Sequence, residues 1–206
     1  MILILGFMSQ ALFGLRLLVQ LWHSENSKSD EVPLIFWNIS LWAALLYLLY
    51  GVLRQDIIIV IGQTITYFIY IRNVHLLGRW SEYPIEARIF YILIPFILVL
   101  YFLSSVETLI FNITNQYIIL VGFLGQLLMN ARFVLQWMYA EKKGVSAFPL
   151  AFWYISIIGS FMLLIYGIWH PKYGYDPVII LAQLMGLGVY LRTVYQVLKR
   201  HSLKAF

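Results

Sequence analysis

Long apolar runs broken by short polar clusters dominate the chain. Runs of about 20 residues suit helices that cross a bilayer. Seven can be drawn, over 2–22, 33–53, 56–77, 88–103, 117–139, 149–169 and 176–198. Between them lie polar stretches at 23–31, a tight turn at 54–56, a loop at 78–87 that carries Arg79, Glu82, Pro84 and Glu86, and a loop at 104–116. The fourth run is the shortest. Pro33, Pro149 and Pro177 sit at or near the starts of runs, where a missing N–H costs nothing.

The pattern occurs twice. Gly6, Gln10, Arg16, Gln20 and Glu25 reappear 116 positions later as Gly122, Gln126, Arg132, Gln136 and Glu141. The same shift carries Pro33 to Pro149, Phe36-Trp37 to Phe152-Trp153, Ser40 to Ser156 and Tyr50-Gly51 to Tyr166-Gly167. After an insertion around 170–175 the shift becomes 120. It then pairs Asp56 with Asp176, Gln63 with Gln183, Tyr70 with Tyr190 and Arg72 with Arg192. Residues 1–77 form a first three-helix repeat. Residues 78–115 form a linker with the fourth helix, and 116–206 a second repeat with a tail. The expected fold is all-α and integral to the membrane, with seven transmembrane helices in a 3+1+3 arrangement. One linker helix between two three-helix copies makes the repeats parallel.

Composition agrees. Hydrophobic residues make up 62% of the chain and charged residues 11%, and mean hydropathy is +0.83. The net charge of +5 falls mostly in loops and tail, without an aromatic-interleaved basic stretch, so nucleic acid is not an expected partner. The lipid bilayer is. The absence of Cys excludes disulfides, thiolate metal sites and cysteine nucleophiles. His23, His75, His170 and His201 are scattered near span ends and suggest no metal site. Lys28, Arg79, Arg88, Lys142, Lys143, Lys199, Arg200 and Lys204 fall on one side of the seven-span topology, against Arg54 and Lys172 on the other. The positive-inside rule then puts the N-terminus outside and the C-terminus in the cytoplasm. The first run has no basic n-region and no small-residue cleavage site, so it is expected to be a true span. The triplet Asn112-Ile113-Thr114 is formally a glycosylation sequon.

Each copy reads G-x-x-x-Q, R-x-x-x-Q, then P-x-x-F-W-x-x-S, Y-G, D, Q and Y-x-R. This pattern resembles the lipid-A-disaccharide synthase N-terminal (LAB_N) membrane domain, over about residues 5–76 and 121–196. In layout that family is similar to the PQ-loop and SWEET transporters, although no Pro-Gln pair occurs in these spans. The resemblance implies lipid-linked sugar or lipid A metabolism in a bacterial inner membrane. It does not imply catalysis by this chain, because a glycosyltransferase domain would need a few hundred further soluble residues. No cofactor is implied.

The intramembrane polar residues carry the candidate chemistry. An arginine costs about 2.5 kcal/mol or more near the centre of a membrane helix. Arg16 and Arg132 are therefore expected either to face a shared cavity and grip a phosphate with the guanidinium fork, or to snorkel or pair with Glu25 or Glu141. Gln10, Gln126, Gln63 and Gln183 lie deeper. Their amides bind sugar hydroxyls or phosphate, or they tie helices together; Gln20 and Gln136 lean to the second role. Arg72 and Arg192, near span ends, bind substrate or snorkel. Trp37 and Trp153, with Asn38 alongside, stack on sugar or anchor at the interface. Asp56 and Asp176 cap helices at their positive ends, or act as an outer gate or proton site.

The leading expectation is a flippase-like protein that binds a lipid-linked phosphosugar, a polyprenyl-phosphate sugar or lipid A-related glycolipid, through the paired arginines of a central cavity. A transporter of small neutral sugars is the first alternative and would not need the arginines. A non-catalytic membrane partner of an envelope glycosyltransferase is the second. An enzyme is not expected, as no carboxylate pair, metal cluster or nucleophile with a base stands out.

Overall fold

The computed structural model describes residues 1–27, 33–105, 113–143 and 149–204. Lys28 and Asn112 of the sequon lie outside the described residues, as do the side chains of Gln20, Glu25 and Glu141. Seven α-helices account for nearly all of the described chain: α1 (Ile2–Ser27), α2 (Leu34–Arg54), α3 (Ile57–Leu76), α4 (Ile85–Ser105), α5 (Ile113–Lys143), α6 (Leu150–Ile168) and α7 (Pro177–Lys204). A single 3-10 turn, Trp80–Glu82, stands between α3 and α4. Among the described residues six helices, α2 to α7, are long and apolar enough to cross a membrane. In α1 the apolar stretch among the described residues is Ile2–Arg16.

Helix α4 is longer than its apolar run suggests. It starts at Ile85 directly after Pro84, with Glu86 in its first turn, where a carboxylate favours the positive helix end. Pro95 lies inside it, so the Tyr91 carbonyl loses its usual partner four residues on.

The chain forms two compact units, Met1–Leu109 and Ile110–Phe206. In the first, α2 packs against α1, α3 and α4. Its core joins Leu41, Ala44 and Leu45 of α2 to Tyr67, Tyr70, Ile71 and Val74 of α3, with Trp80 and Tyr91 behind them. In the second, α6 packs against α5 and α7. The middle helix of each unit is thus the most enclosed, and the outer faces of α4, α5 and α7 are apolar and exposed. Such faces suit lipid.

The Tyr-Gly pairs repeat for a packing reason. A Cβ on Gly51 would come 2.6 Å from Ile59 Cγ2, and one on Gly167 would come 2.9 Å from Ile179 Cγ2. Glycine lets each middle helix meet the start of the next. The two turns differ in length yet close alike. After α2, Gln55 takes a left-handed φ of 52° and Asp56 N–H donates to Gly51 O at 2.9 Å. After α6, the insertion forms a small loop bridged between His170 and Gly174, and Asp176 N–H donates to Gly167 O at 2.7 Å.

Candidate functional site

Both repeated arginines sit at the same kind of junction. Arg16 projects from α1 across α2 to α3. Its Nη1 donates to Ser40 Oγ at 3.1 Å and to Tyr70 Oη at 2.6 Å. In the second unit Arg132 Nη1 donates to Ser156 Oγ at 3.0 Å and to Tyr190 Oη at 2.8 Å. The serines are pre-set to accept. Ser40 Oγ–H donates to Phe36 O at 2.6 Å and Ser156 Oγ–H to Phe152 O at 2.6 Å, so each hydroxyl turns its lone pairs to the guanidinium.

Aromatic rings enclose both cations. The Arg16 guanidinium lies 4.7 Å from the Phe13 ring centre, 5.3 Å from Phe36 and 5.4 Å from Tyr70. The Arg132 guanidinium lies 4.9 Å from Phe133, 5.3 Å from Phe152 and 5.3 Å from Tyr190. The cation–π attraction offsets part of the desolvation cost. Trp37 packs on Tyr70 at 5.9 Å and Trp153 on Tyr190 at 6.1 Å. Both Trp residues support the arginine's tyrosine.

Among the described residues no ion pair reaches Arg16 or Arg132. The Nε of each arginine is buried with no hydrogen-bond partner among the described residues, and Arg132 is only 8% exposed. Each phenol accepts from its guanidinium and keeps a proton to donate. Each junction therefore offers N–H and O–H donors beside a positive charge that no described carboxylate pairs.

The other candidate residues divide by face. Gln63 is buried on α3 with its Oε1 unpaired, seven residues before Tyr70 and so on the same face. Gln183 is half-buried at the matched position of α7. Gln10 and Gln126 are half-buried and six residues before their arginines, about 120° around the helix. Arg72 and Arg192 are exposed, two residues past the tyrosines and pointing away from the junctions. Asn38 Oδ1 accepts from Tyr83 Oη, which fastens the α3–α4 connection to α2. Burial raises the Tyr83 pKa above its ordinary value, the Asn38 bond lowers it and Glu82 raises it further, so the phenol stays a donor. Asp56 and Asp176 are buried N-caps. Asp56 Oδ1 accepts from Ile58 N and Ile59 N at 2.9 and 3.1 Å, and Asp176 Oδ1 from Val178 N and Ile179 N at 2.9 and 3.1 Å. Sequence reasoning missed Ser40, Tyr70, Ser156 and Tyr190 as site residues, although all four recur in the repeat with the arginines.

The repeat coincides with a known domain. The family model of the Lipid A Biosynthesis N-terminal domain matches residues 5–75 and again 121–195. The chain belongs to this family. Both copies of the Lipid A Biosynthesis N-terminal domain contain a complete arginine, serine and tyrosine junction. Named relatives point the same way. The lipid-A-disaccharide synthase of Chlamydia pneumoniae is 29% identical over 195 residues, 89% of this chain and 31% of that protein. That of Chlamydia felis is 27% identical over 217 residues, 98% of this chain and 34% of that protein. The chain thus spans about a third of the length of the curated relatives it matches. No solved structure matches.

Proposed function

We propose that this protein binds the anionic headgroup of a lipid-linked phosphosugar at its arginine junctions and carries it between leaflets. The observation behind this is one arginine in each repeat, Arg16 partly buried and Arg132 buried, whose Nε is buried and unpaired and which no described carboxylate neutralises. A buried cation without a carboxylate is costly, and phosphate is the anion whose geometry a guanidinium fork fits best. Kinship with lipid-A-disaccharide synthases supports a glycolipid of the lipid A branch, or a polyprenyl-phosphate sugar, as the ligand. In this reading all seven helices cross a bacterial inner membrane, with the N-terminus outside.

The test is leaflet exchange of a labelled polyprenyl-phosphate hexose in proteoliposomes. Wild type accelerates exchange. Arg16→Ala and Arg132→Ala lose it, by about ten- to a hundredfold for one charge-assisted contact, while keeping their helical spectrum and elution profile. Exchange at the wild-type rate in both folded variants overturns the proposal.

One observation favours a second reading. The relatives that share this region are named as synthases and are about three times longer. The domain would then hold a glycolipid for a glycosyltransferase in the membrane without moving it. Stable co-purification with such an enzyme, and no exchange by the protein alone, would select that reading.

A further inference from the structure

Helix α3 carries two polar groups that the arginine junction does not use. Gln63 is 9% exposed and Tyr67 0% exposed. Neither Gln63 Oε1 nor the Tyr67 hydroxyl has a hydrogen-bond partner among the described residues. Tyr70, which accepts from Arg16, lies three residues beyond Tyr67. Positions 63, 67 and 70 follow the i, i+4, i+7 spacing of a single helix face. That face leads from the guanidinium to Gln63 over a rise of about 10 Å.

Unsatisfied polar groups are costly within an apolar bundle, and more so in a bilayer. The chemistry of the pair narrows what would satisfy it. An amide oxygen only accepts, whereas a phenol donates and accepts. A hydroxyl group meets both, donating to Gln63 Oε1 and accepting from Tyr67. The second unit breaks the stripe, with Gln183, Leu187 and Tyr190 at the matched positions. Leu187 offers no hydrogen bond.

We infer that Gln63 and Tyr67 form a hydroxyl-recognition subsite for the sugar of a bound ligand, and that the first unit alone contains it. The expectation of an anionic group at Arg16 rests on the function proposed above. The two unpaired atoms do not depend on it. The repeats are then alike in charge recognition and different in sugar recognition.

Tyr67→Phe removes the hydroxyl and nothing else. Because that hydroxyl is unpaired, the variant folds as well as wild type. Binding is measured in nanodiscs with three probes: a polyprenyl phosphate, the same lipid bearing a phosphate-linked hexose, and a neutral alkyl hexoside. Wild type binds the hexosyl lipid more tightly than the bare phosphate. Tyr67→Phe lowers affinity for the hexosyl lipid about tenfold, the worth of one hydrogen bond, and leaves the bare phosphate unchanged. Gln63→Met gives the same selective loss. Arg16→Ala weakens both anionic lipids. Equal binding of the sugar-bearing probes by wild type and Tyr67→Phe overturns the subsite and leaves the proposed function standing. Tyr67-dependent binding of the neutral hexoside, with no binding of either anionic lipid, upholds the subsite and overturns the proposed function. Binding of no probe overturns both.

Discussion

Arg16 and Tyr70 are 54 residues apart in sequence and 2.6 Å apart in the fold. The bond ties α1 to α3, two helices that each pack mainly on α2. Arg132 and Tyr190 make the same tie between α5 and α7 at 2.8 Å. One side chain per repeat thus links the outer helices across the middle one.

Removing the phenol should therefore loosen each unit. Tyr70→Phe is expected to cost about 1.5–3 kcal/mol, the range for a hydrogen bond to a charged group. Tyr190→Phe should cost the same or less, because Tyr190 is half-buried while Tyr70 is 2% exposed. Chemical unfolding in detergent, followed by helical signal, measures both. A Tyr190→Phe loss clearly larger than that of Tyr70→Phe would contradict the burial argument.

Asp56 distinguishes capping from proton handling. Its carboxylate accepts two backbone N–H bonds at the start of α3. Asp56→Ala should cost about 1–2 kcal/mol, whereas Asp56→Asn keeps an N-cap acceptor and should cost only a few tenths. The same series at Asp176 should match. Loss of lipid exchange in a fully stable Asp56→Asn protein would assign the carboxylate a role in proton transfer instead.

Glycine substitutions probe the helix contacts. Gly51→Ala and Gly167→Ala would drive a methyl to within 2.6 and 2.9 Å of isoleucine side chains. Each is expected to cost about 1–3 kcal/mol through overpacking. At Gly14 a Cβ meets nothing within 4 Å, so Gly14→Ala should stabilise α1, by about 0.5–1 kcal/mol. Melting temperatures of the three variants check the ordering.

The helices and the arginines were legible in the sequence because hydropathy and repetition are local or strictly periodic signals. The partners of the arginines were not. Ser40 is 24 residues from Arg16 and Tyr70 is 54, and no local pattern says which matched residues meet. Recurrence at the shifts of 116 and 120 marked both without distinguishing ligand from partner. Depth groups Gln10 with Arg16, but six residues on a helix turn it off that face. Depth groups Gln63 with them too, and the seven-residue spacing puts it on the Tyr70 face of α3. Asp56 was readable as a cap, since an acidic residue before an apolar run is a start signal. Helix α4 is longer than its apolar run because the sequence reading places Glu86 in the loop at 78–87, whereas a carboxylate in the first turn favours a helix start.

The central claim is that the arginine junctions hold an anionic lipid headgroup. Native mass spectrometry of the purified protein tests it most directly, comparing wild type with Arg16→Ala/Arg132→Ala and with Arg72→Ala/Arg192→Ala. A bound phosphorylated lipid on wild type and on the Arg72/Arg192 variant, missing from the Arg16/Arg132 variant, is the result predicted. The same bulk phospholipids on all three proteins, in the same amounts, would contradict it.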